Sequence, residues 1–487
     1  MPYLADKPLG EDAYYMMTIG WNLGGGDGLS YGGQPTTGTQ ALMTVLYGAL
    51  AAIVRAAGGD KWTFARAVLA FNGALFVGFA AVTMALARAL YPSADRRAIG
   101  ALAAVLTLFN YTVFRVFTYG LETGLYLIIA GLCMLASLRA LGPGRTMPRV
   151  IALGAWAGAA ACARIDFLVV FAVFLTVAWI RRLLAFRDAV LAGLLALAGA
   201  APWLIWVRHT TGSWMPSSGE SQMGVITAAN AGGRLEALIW SLAAHASPWL
   251  YPELLRTAAT RLVPGHDLLW RMAIAALLFG AALVVAVRAW RVVTPVLSTW
   301  FCAVAVLAGV YVVLFWPSYF YGRYTALLVL FSIPVLAAGF HALAFPRVPA
   351  VAVLAGSATL FLATAGLTLH RGEAGNTFSV TARVVETQIP PSETVGAFSS
   401  GVLGYFFDNV VNLDGKVNAQ AMRARREGRL GRYINESGIS VLLDWRQTIE
   451  TFVPDAYVDA CWEPCLVRLS PEQGSCFRRR ACGTAPW

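Results

Sequence analysis

Eleven apolar runs occupy most of this chain, at residues 41–57, 62–88, 98–114, 122–141, 150–163, 166–180, 188–207, 269–290, 293–316, 324–345 and 349–369. A helix that crosses the hydrocarbon core of a bilayer needs about 20 apolar residues, and most of these runs approach that length. A soluble domain carries about 25% charged residues, which coat the core it buries. Here 58% of the 487 residues are hydrophobic and 13% are charged, too few to coat such a core. The sequence therefore predicts an all-α polytopic membrane bundle of about ten transmembrane helices. It excludes a disordered chain, a coiled coil and a nucleic-acid binder.

The net charge of +11 is not gathered into one basic face. Arg88, Arg96, Arg97, Arg181, Arg182, Arg288 and Arg291 sit at the ends of apolar runs, the pattern by which cytoplasmic loops retain positive charge. Loops 88–97, 139–149, 181–188, 288–292 and the link around Arg347 are then cytoplasmic. The connections 115–121, 164–166, 208–268 and 317–323, with everything after 370, fall on the outer side. Runs 150–163 and 166–180 are short for straight spans. They read as a tight helical pair, with Arg164 and Asp166 punctuating one apolar block. Residues 370–487 change pattern to short strand-like runs (439–443, 465–469) among helical and turn segments, which predicts a small α/β domain.

Cysteine usage tests that orientation separately. Cys133, Cys162 and Cys302 lie in apolar runs, where a thiol behaves as a small hydrophobe. Cys461, Cys465, Cys476 and Cys482 cluster in the final stretch with no histidine among them. Two disulfides in an oxidising compartment fit this usage, and the spacings are unlike those of zinc ribbons, the competing explanation.

Residues 1–40 are polar and Gly-rich and contain no apolar run long enough to span or to serve as a signal peptide. Run 41–57 either spans, leaving residues 1–40 cytoplasmic, or lies along the outer surface. Within the segment, Glu11 and Asp12 precede two tyrosines. A carboxylate at a membrane surface can serve as general base toward a hydroxyl once burial or neighbours tune its pKa. The same pair can also cap a helix that starts near Ala13. Glu122 and Asp166 stand where helices begin, and a carboxylate there is favoured by the helix dipole alone.

The run from Glu11 to Gln40 resembles the first outer loop of the C-type superfamily of membrane glycosyltransferases. The acidic pair is followed by Asn22-Leu23-Gly24-Gly25-Gly26-Asp27-Gly28, then by Pro35-Thr36-Thr37-Gly38-Thr39-Gln40-Ala41-Leu42. It departs from the usual Pro-Thr-Asn-Gly-x-x-Pro-Leu at Thr37 and Ala41, and from Asp-Asp at Glu11. Further pieces are similar to that superfamily in the same order: Gly120-Leu121-Glu122-Thr123, Ala163-Arg164-Ile165-Asp166, Trp214 to Gly219, Tyr321-Gly322-Arg323-Tyr324, Val395-Gly396-Ala397, Gly404-Tyr405-Phe406 and Asn412-Leu413-Asp414-Gly415.

The resemblance implies an enzyme that moves a sugar from a polyprenyl-phosphate donor to a hydroxyl acceptor (an envelope glycan, lipid or protein), with inversion. The site and the C-terminal domain would be extracytoplasmic, on a multi-pass protein of the cytoplasmic (inner) membrane surrounded by membrane lipids. Asp12, aided by Glu11, would be catalytic. Arg323, Tyr324, Tyr321, Arg164, Asp166, Glu122, Ser217 and Gly219 would bind substrate. Arg323 is the foremost phosphate ligand because guanidinium matches phosphate oxygens in pairs; its other reading is an anchor among interfacial aromatics. No cofactor is required, and a divalent metal, if used, would sit at Glu11 and Asp12. The resemblance further implies that 41–57 is a surface helix and that the chain begins after the superfamily's first span. The domains are then 1–61 (outer acidic loop with juxtamembrane helices), 62–369 (bundle, with outer loop 208–268) and 370–487 (soluble outer domain). No nucleotide-binding loop is visible, in keeping with a lipid-linked donor. The rival reading is a transporter or flippase of an amphiphile, which calls for ionisable groups at mid-membrane and repeated halves with broken helices; neither stands out in the sequence.

Overall fold

The computed structural model describes residues 9–37, 40–91, 95–142, 144, 146–223, 231–248, 252–288, 294–311, 322–344, 350–371, 382, 385–453, 455–465 and 475–480. Among the described residues, sixteen α-helices precede the C-terminal domain: α1 Glu11–Gly25, α2 Ala41–Ala56, α3 Lys61–Leu90, α4 Arg96–Leu108, α5 Tyr111–Thr118, α6 Thr123–Ala140, α7 Met147–Ala163, α8 Phe167–Ile180, α9 Phe186–Thr211, α10 Ser217–Met223, α11 Ala231–Ala246, α12 Pro252–Leu262, α13 Asp267–Arg288, α14 Pro295–Val310, α15 Val329–Ala344 and α16 Ala350–Arg371. A small hairpin, β1 Ser30–Tyr31 with β2 Gln34–Pro35, separates the first two.

Among the described residues, α3, α6, α9 and the Asp267–Val284 part of α13 are long and apolar enough to cross a membrane. The pair α4 and α5, bent by 61° at its break, would make a fifth span. The remaining apolar helices, among them α7, α8 and α14, have 10–17 residues. The expected count of about ten spans therefore leans on helices shorter than a bilayer is thick. Two of the long helices keep most of their surface uncovered, with 28% of the α9 window and 17% of the α13 window buried within the protein, whereas α6 is 72% buried. Leu194, Ile205, Leu277 and Leu283 are exposed, which suits a lipid-facing surface.

Small residues let α7 and α9 approach closely. A Cβ on Gly154 of α7 would come within 2.8 Å of the Ala192 carbonyl of α9, and one on Gly158 within 3.2 Å of Gly199. This small-xxx-small spacing lets two membrane helices touch backbone to backbone. Elsewhere aromatic rings fill the bundle. Phe174 stacks on Trp300 at 4.1 Å, and the Trp300 indole N–H donates to Ser137 Oγ at 2.8 Å. The short helices α7 and α8 are separated by Arg164 to Asp166, whose backbone leaves the helical region at Arg164 (φ −152°, ψ 120°).

The C-terminal domain carries a five-stranded sheet of β3 Val395–Ala397, β4 Val410–Asn412, β5 Val441–Asp444, β6 Trp462–Pro464 and β7 Ser475–Arg479, in the order β4-β3-β5-β7-β6. The pairs β3·β4 and β3·β5 are parallel, whereas β5·β7 and β6·β7 are antiparallel. Cys465 and Cys476 are joined by a disulfide next to the β6·β7 pair, and Cys461 is also disulfide-bonded. Cys482 and residues 466–469 lie outside the described residues.

Candidate active site

Helix α1 has no polar face for most of its length: every residue from Ala13 to Trp21 is buried. Two neighbours cover it. Helix α2 closes on Gly20 and Gly24, where an added Cβ would fall within 2.8 Å of Tyr47, Gly48, Ala51 or Ala52. On the other side lies α17 (Gly401–Phe406) of the C-terminal domain. A Cβ on Gly401 would sit 2.2 Å from the Glu11 carbonyl, and one on Gly404 would sit 1.8 Å from the Tyr31 hydroxyl. Only glycine allows this contact, so the Gly404-Tyr405-Phe406 element acts as a docking face.

The N-cap of α1 is Gly10, not an acidic side chain, and no side chain caps the helix. This corrects the expectation that Glu11 and Asp12 cap a helix starting near Ala13. Both instead occupy the first helical turn, and both reach across to other elements. The Glu11 carboxyl accepts the Gly401 backbone N–H. Asp12 Oδ2 accepts from Arg323 Nη1 at 3.0 Å, and Asp12 Oδ1 from Lys416 Nζ at 3.2 Å. Arg323 and Tyr324 lie in a single 3-10 turn, Gly322–Tyr324. Lys416 also lies 3.2 Å from Asp414 Oδ2, and its backbone carbonyl accepts the Ser217 hydroxyl at 2.7 Å.

A hydroxyl network locks the same edge of the C-terminal domain onto α1. The Tyr15 hydroxyl accepts from Ser400 N at 3.0 Å and from Asn412 Nδ2 at 3.2 Å, and it donates to the Phe398 carbonyl. The Tyr31 hydroxyl donates to the Ser400 carbonyl at 2.9 Å.

The two adjacent acids are tuned in opposite directions. Burial pushes Glu11 up to about 8, and the charges of Asp12 and Asp414 add to the rise against the pull of Lys416 and the Gly401 N–H. Burial also opposes ionisation of Asp12, but Lys416 and Arg323, as charges and as donors, outweigh it and hold that carboxyl well below the usual carboxylate range. Such divergence between neighbouring titratable groups is typical of sites that assign them separate roles.

A second ionic cluster lies nearby. Glu122 and Asp166 stand at the N-cap positions of α6 and α8, yet neither caps with its side chain. Both turn to Arg164: Nη1 donates to Glu122 Oε1 at 2.9 Å, and Nη2 to Asp166 Oδ2 at 2.8 Å. The Tyr311 hydroxyl donates to Asp166 and receives Arg164 Nη2 at 3.2 Å. The Tyr324 ring joins the clusters, lying 5.6 Å from the Arg164 guanidinium carbon and 5.4 Å from that of Arg323.

Of the residues singled out in the sequence, Asp12, Glu11, Arg323 and Tyr324 converge on one site, and Glu122, Arg164 and Asp166 form its neighbour. Ser217 braces the Lys416 loop. Gly219 packs against the Met215 side chain. Tyr321 lies outside the described residues. Sequence reasoning missed Lys416, the residue that immediately follows the Asn412-Leu413-Asp414-Gly415 run, and it missed the Ser400-Gly401 docking turn. Among the described residues no group of three or more His, Cys, Asp or Glu could hold a metal. A divalent ion at Glu11 and Asp12 would share the Asp12 oxygens with Lys416 and Arg323.

No protein-family model matches the chain, and no curated protein matches it in sequence. Solved structures do match. ArnT from Cupriavidus metallidurans in the apo state aligns over 99% of this chain and 97% of its own, with 14% identity and a TM-score of 0.50. The oligosaccharyltransferase of Archaeoglobus fulgidus, crystallised with zinc and sulfate, aligns over 94% of this chain and 68% of its own, with 11% identity and a TM-score of 0.53. The chain therefore has the fold shared with ArnT and with the archaeal oligosaccharyltransferase.

Proposed function

We propose that the chain is a membrane glycosyltransferase that moves a sugar from a polyprenyl-phosphate donor to a hydroxyl acceptor, with inversion at the anomeric carbon. One observation carries this reading: a carboxylate on a buried helix meets two fixed cations, Arg323 and Lys416, that arrive from distant parts of the chain. A carboxylate can accept the acceptor's proton. Two cations can take up the charge that develops on a departing phosphate, because fixed positive groups stabilise a leaving oxyanion as it forms. The acceptor oxygen bonds to the anomeric carbon and its proton passes to Asp12. The bond from that carbon to the phosphate oxygen breaks, and its electron pair leaves with the polyprenyl phosphate. Attack opposite the phosphate inverts the centre.

Arg323 and Lys416 hold the phosphate in this scheme, and Tyr324 offers a ring face beside it. The Glu122–Arg164–Asp166 cluster meets the Tyr324 ring through the Arg164 guanidinium. The site lies on the extracytoplasmic side of the cytoplasmic membrane, with segments 1–61 and 370–487 outside it and 62–369 forming the bundle. The disulfide at Cys465 supports that side, since such bonds persist in oxidising compartments. The acceptor is an envelope glycan, lipid or protein.

Purified protein in detergent, supplied with a panel of radiolabelled polyprenyl-phosphate sugars and envelope acceptors, tests the proposal. Asp12→Asn should lower transfer by about 100-fold to 10,000-fold, the range spanned by loss of a general base. Equal turnover in that variant would remove Asp12 from the mechanism. Movement of intact lipid-linked substrate across proteoliposomes without transfer would favour the transporter reading instead.

A further inference from the structure

The cations that should hold the donor phosphate are engaged by the base that must attack in its presence. Asp12 gives one oxygen to each: Oδ2 to Arg323 Nη1 at 3.0 Å and Oδ1 to Lys416 Nζ at 3.2 Å. A carboxylate in this position is a poor proton acceptor, because each of its oxygens already accepts from a positive donor, which lowers its basicity. A phosphate has the same sign of charge, more oxygens and the same taste for guanidinium and ammonium. It is therefore a natural competitor for this pair.

Three features make the exchange feasible. First, each cation keeps support if Asp12 lets go. Lys416 retains Asp414 Oδ2 at 3.2 Å, and its backbone stays pinned through the Ser217 hydroxyl and through its own N–H, which donates to Asp414 Oδ1 at 2.8 Å. Arg323 keeps the Tyr324 ring at 5.4 Å and the electrostatic pull of Glu122. Secondly, the cluster is partly exposed: the side chains of Asp12, Arg323 and Lys416 are 22%, 20% and 23% exposed, so that both cations reach solvent, whereas the Arg164 cation of the second cluster is 7% exposed and only its Asp166 partner, at 18%, comes near that figure. Thirdly, Asp12 is on the first turn of a helix fixed at its start by the Gly10 N–H to the Tyr119 carbonyl, at 2.9 Å, so freeing the side chain needs no backbone movement.

We propose that the donor's phosphate displaces the Asp12 carboxylate from Arg323 and Lys416, so that the step which binds the donor also releases the base. This rests on the polyprenyl-phosphate reading and deepens it. Asp12 is a place-holder for phosphate in the free enzyme and a base only in the donor complex. Binding is then ordered, donor before acceptor deprotonation. After transfer, Asp12 gives its proton to water, regains its charge and competes with the carrier phosphate for the two cations, which promotes release.

The test measures binding of heptaprenyl phosphate, which bears no sugar, to the full chain in detergent micelles, with inorganic phosphate as a second arm. Removing the competing charge with Asp12→Asn should tighten heptaprenyl phosphate binding about tenfold, the equivalent of one charge-assisted hydrogen bond. Asp12→Ser should tighten it similarly, which guards against a fault peculiar to one variant. Lys416→Met and Arg323→Gln should weaken it by about the same factor. Unchanged or weaker binding in both Asp12 variants, with wild-type binding intact, would overturn the exchange and leave the glycosyltransferase reading standing. Absence of heptaprenyl phosphate binding in every variant would overturn both. Inorganic phosphate bound as tightly as the lipid, and still tightened by Asp12→Asn, would support the exchange and remove the lipid carrier from it.

Discussion

The two ionic clusters use the same chemistry under opposite conditions. Glu122, Arg164, Asp166 and Tyr311 form a set closed around a buried cation, with Arg164 and Glu122 7% exposed and Asp166 18%, in which acids and base satisfy one another at the meeting point of α6, α7, α8 and α14. Asp12, Arg323 and Lys416 form an open set, about a fifth exposed, whose members come from the two ends of the chain and a single turn between them. A buried, self-satisfied cluster costs much to break and has little to offer a ligand. A partly solvated one is cheap to rearrange, and that is the property a substrate site needs. The contrast separates a scaffold from a reaction centre although both are built from Arg and carboxylates.

Arg164→Met provides the strongest challenge to this comparison. It strands Glu122 and Asp166 without their cation, and breaking one partner of a buried pair costs about 3–5 kcal/mol. Thermal unfolding in detergent should shift downward far more than for Arg323→Gln, whose Asp12 partner keeps Lys416. Equal shifts would mean that the two clusters are alike in kind.

The docking face comes next. Gly401→Ala places a methyl group against the Glu11 carbonyl, at 2.2 Å before relaxation. Overpacking of this sort costs about 1–3 kcal/mol and forces the backbones apart. Because the Ser400–Gly401 turn and the Lys416 loop are tied through Asn412, whose Nδ2 donates to Ser400 Oγ at 2.9 Å, Lys416 should recede from Asp12. The expected result is easier proteolytic release of the C-terminal domain together with weaker phosphate binding. The corresponding bundle variant Gly158→Ala, which opposes Gly199 at 3.2 Å, should lower thermal stability through the bundle without altering that proteolysis.

Glu11 sharpens the comparison through pH. Its carboxyl is raised from an ordinary 4.5 to about 8, so the folded state holds a proton that the unfolded state has lost between those values. The stabilising contribution is complete below 4.5, declines as pH rises and is gone above about 8, with a slope no steeper than about 1.4 kcal/mol per pH unit. Glu11→Gln mimics the protonated form and keeps an acceptor for the Gly401 N–H. Its unfolding midpoint should therefore lack this decline. A wild-type protein whose stability is flat from pH 5 to 8, or rises, would contradict the burial argument.

How much of this was legible follows the range of the interactions. Apolar runs foretold the helices because burial in lipid or bundle is written residue by residue. Arg164 and Asp166 were visible as a break in an apolar block, and their neighbour Glu122 stood at the start of the preceding run. The strand at Val441–Asp444 and the paired cysteines were legible because strand pattern and cysteine count are local. Lys416 was not, since it reaches Asp12 across 404 residues and nothing near it in the chain calls for a carboxylate. The N-cap was misread for a similar reason: Asp is a good local cap, but the tertiary partners Arg323 and Lys416 outbid the helix's own N–H groups. The span count stayed open because a short apolar helix is compatible with a span, a half-span or a surface position.

The smallest expected effect is at the Lys61–Asp408 pair, which also joins the C-terminal domain to the bundle. Its distance of 3.5 Å matches that of many measured surface pairs, but Asp408 is 99% exposed and water screens it almost fully. Docking at this corner is carried by other groups: Trp62 packs on Phe406 with ring centroids 4.5 Å apart, and the Tyr405 hydroxyl donates to the Lys61 backbone carbonyl, which a side-chain change does not touch. Lys61→Met should therefore change stability by less than about 0.5 kcal/mol and leave protease resistance and phosphate binding as they were. If it loosened the domain as Gly401→Ala is expected to, exposure would be the wrong guide to which contacts hold the domain on the bundle, and the distinction drawn between the open and closed clusters would lose its physical basis.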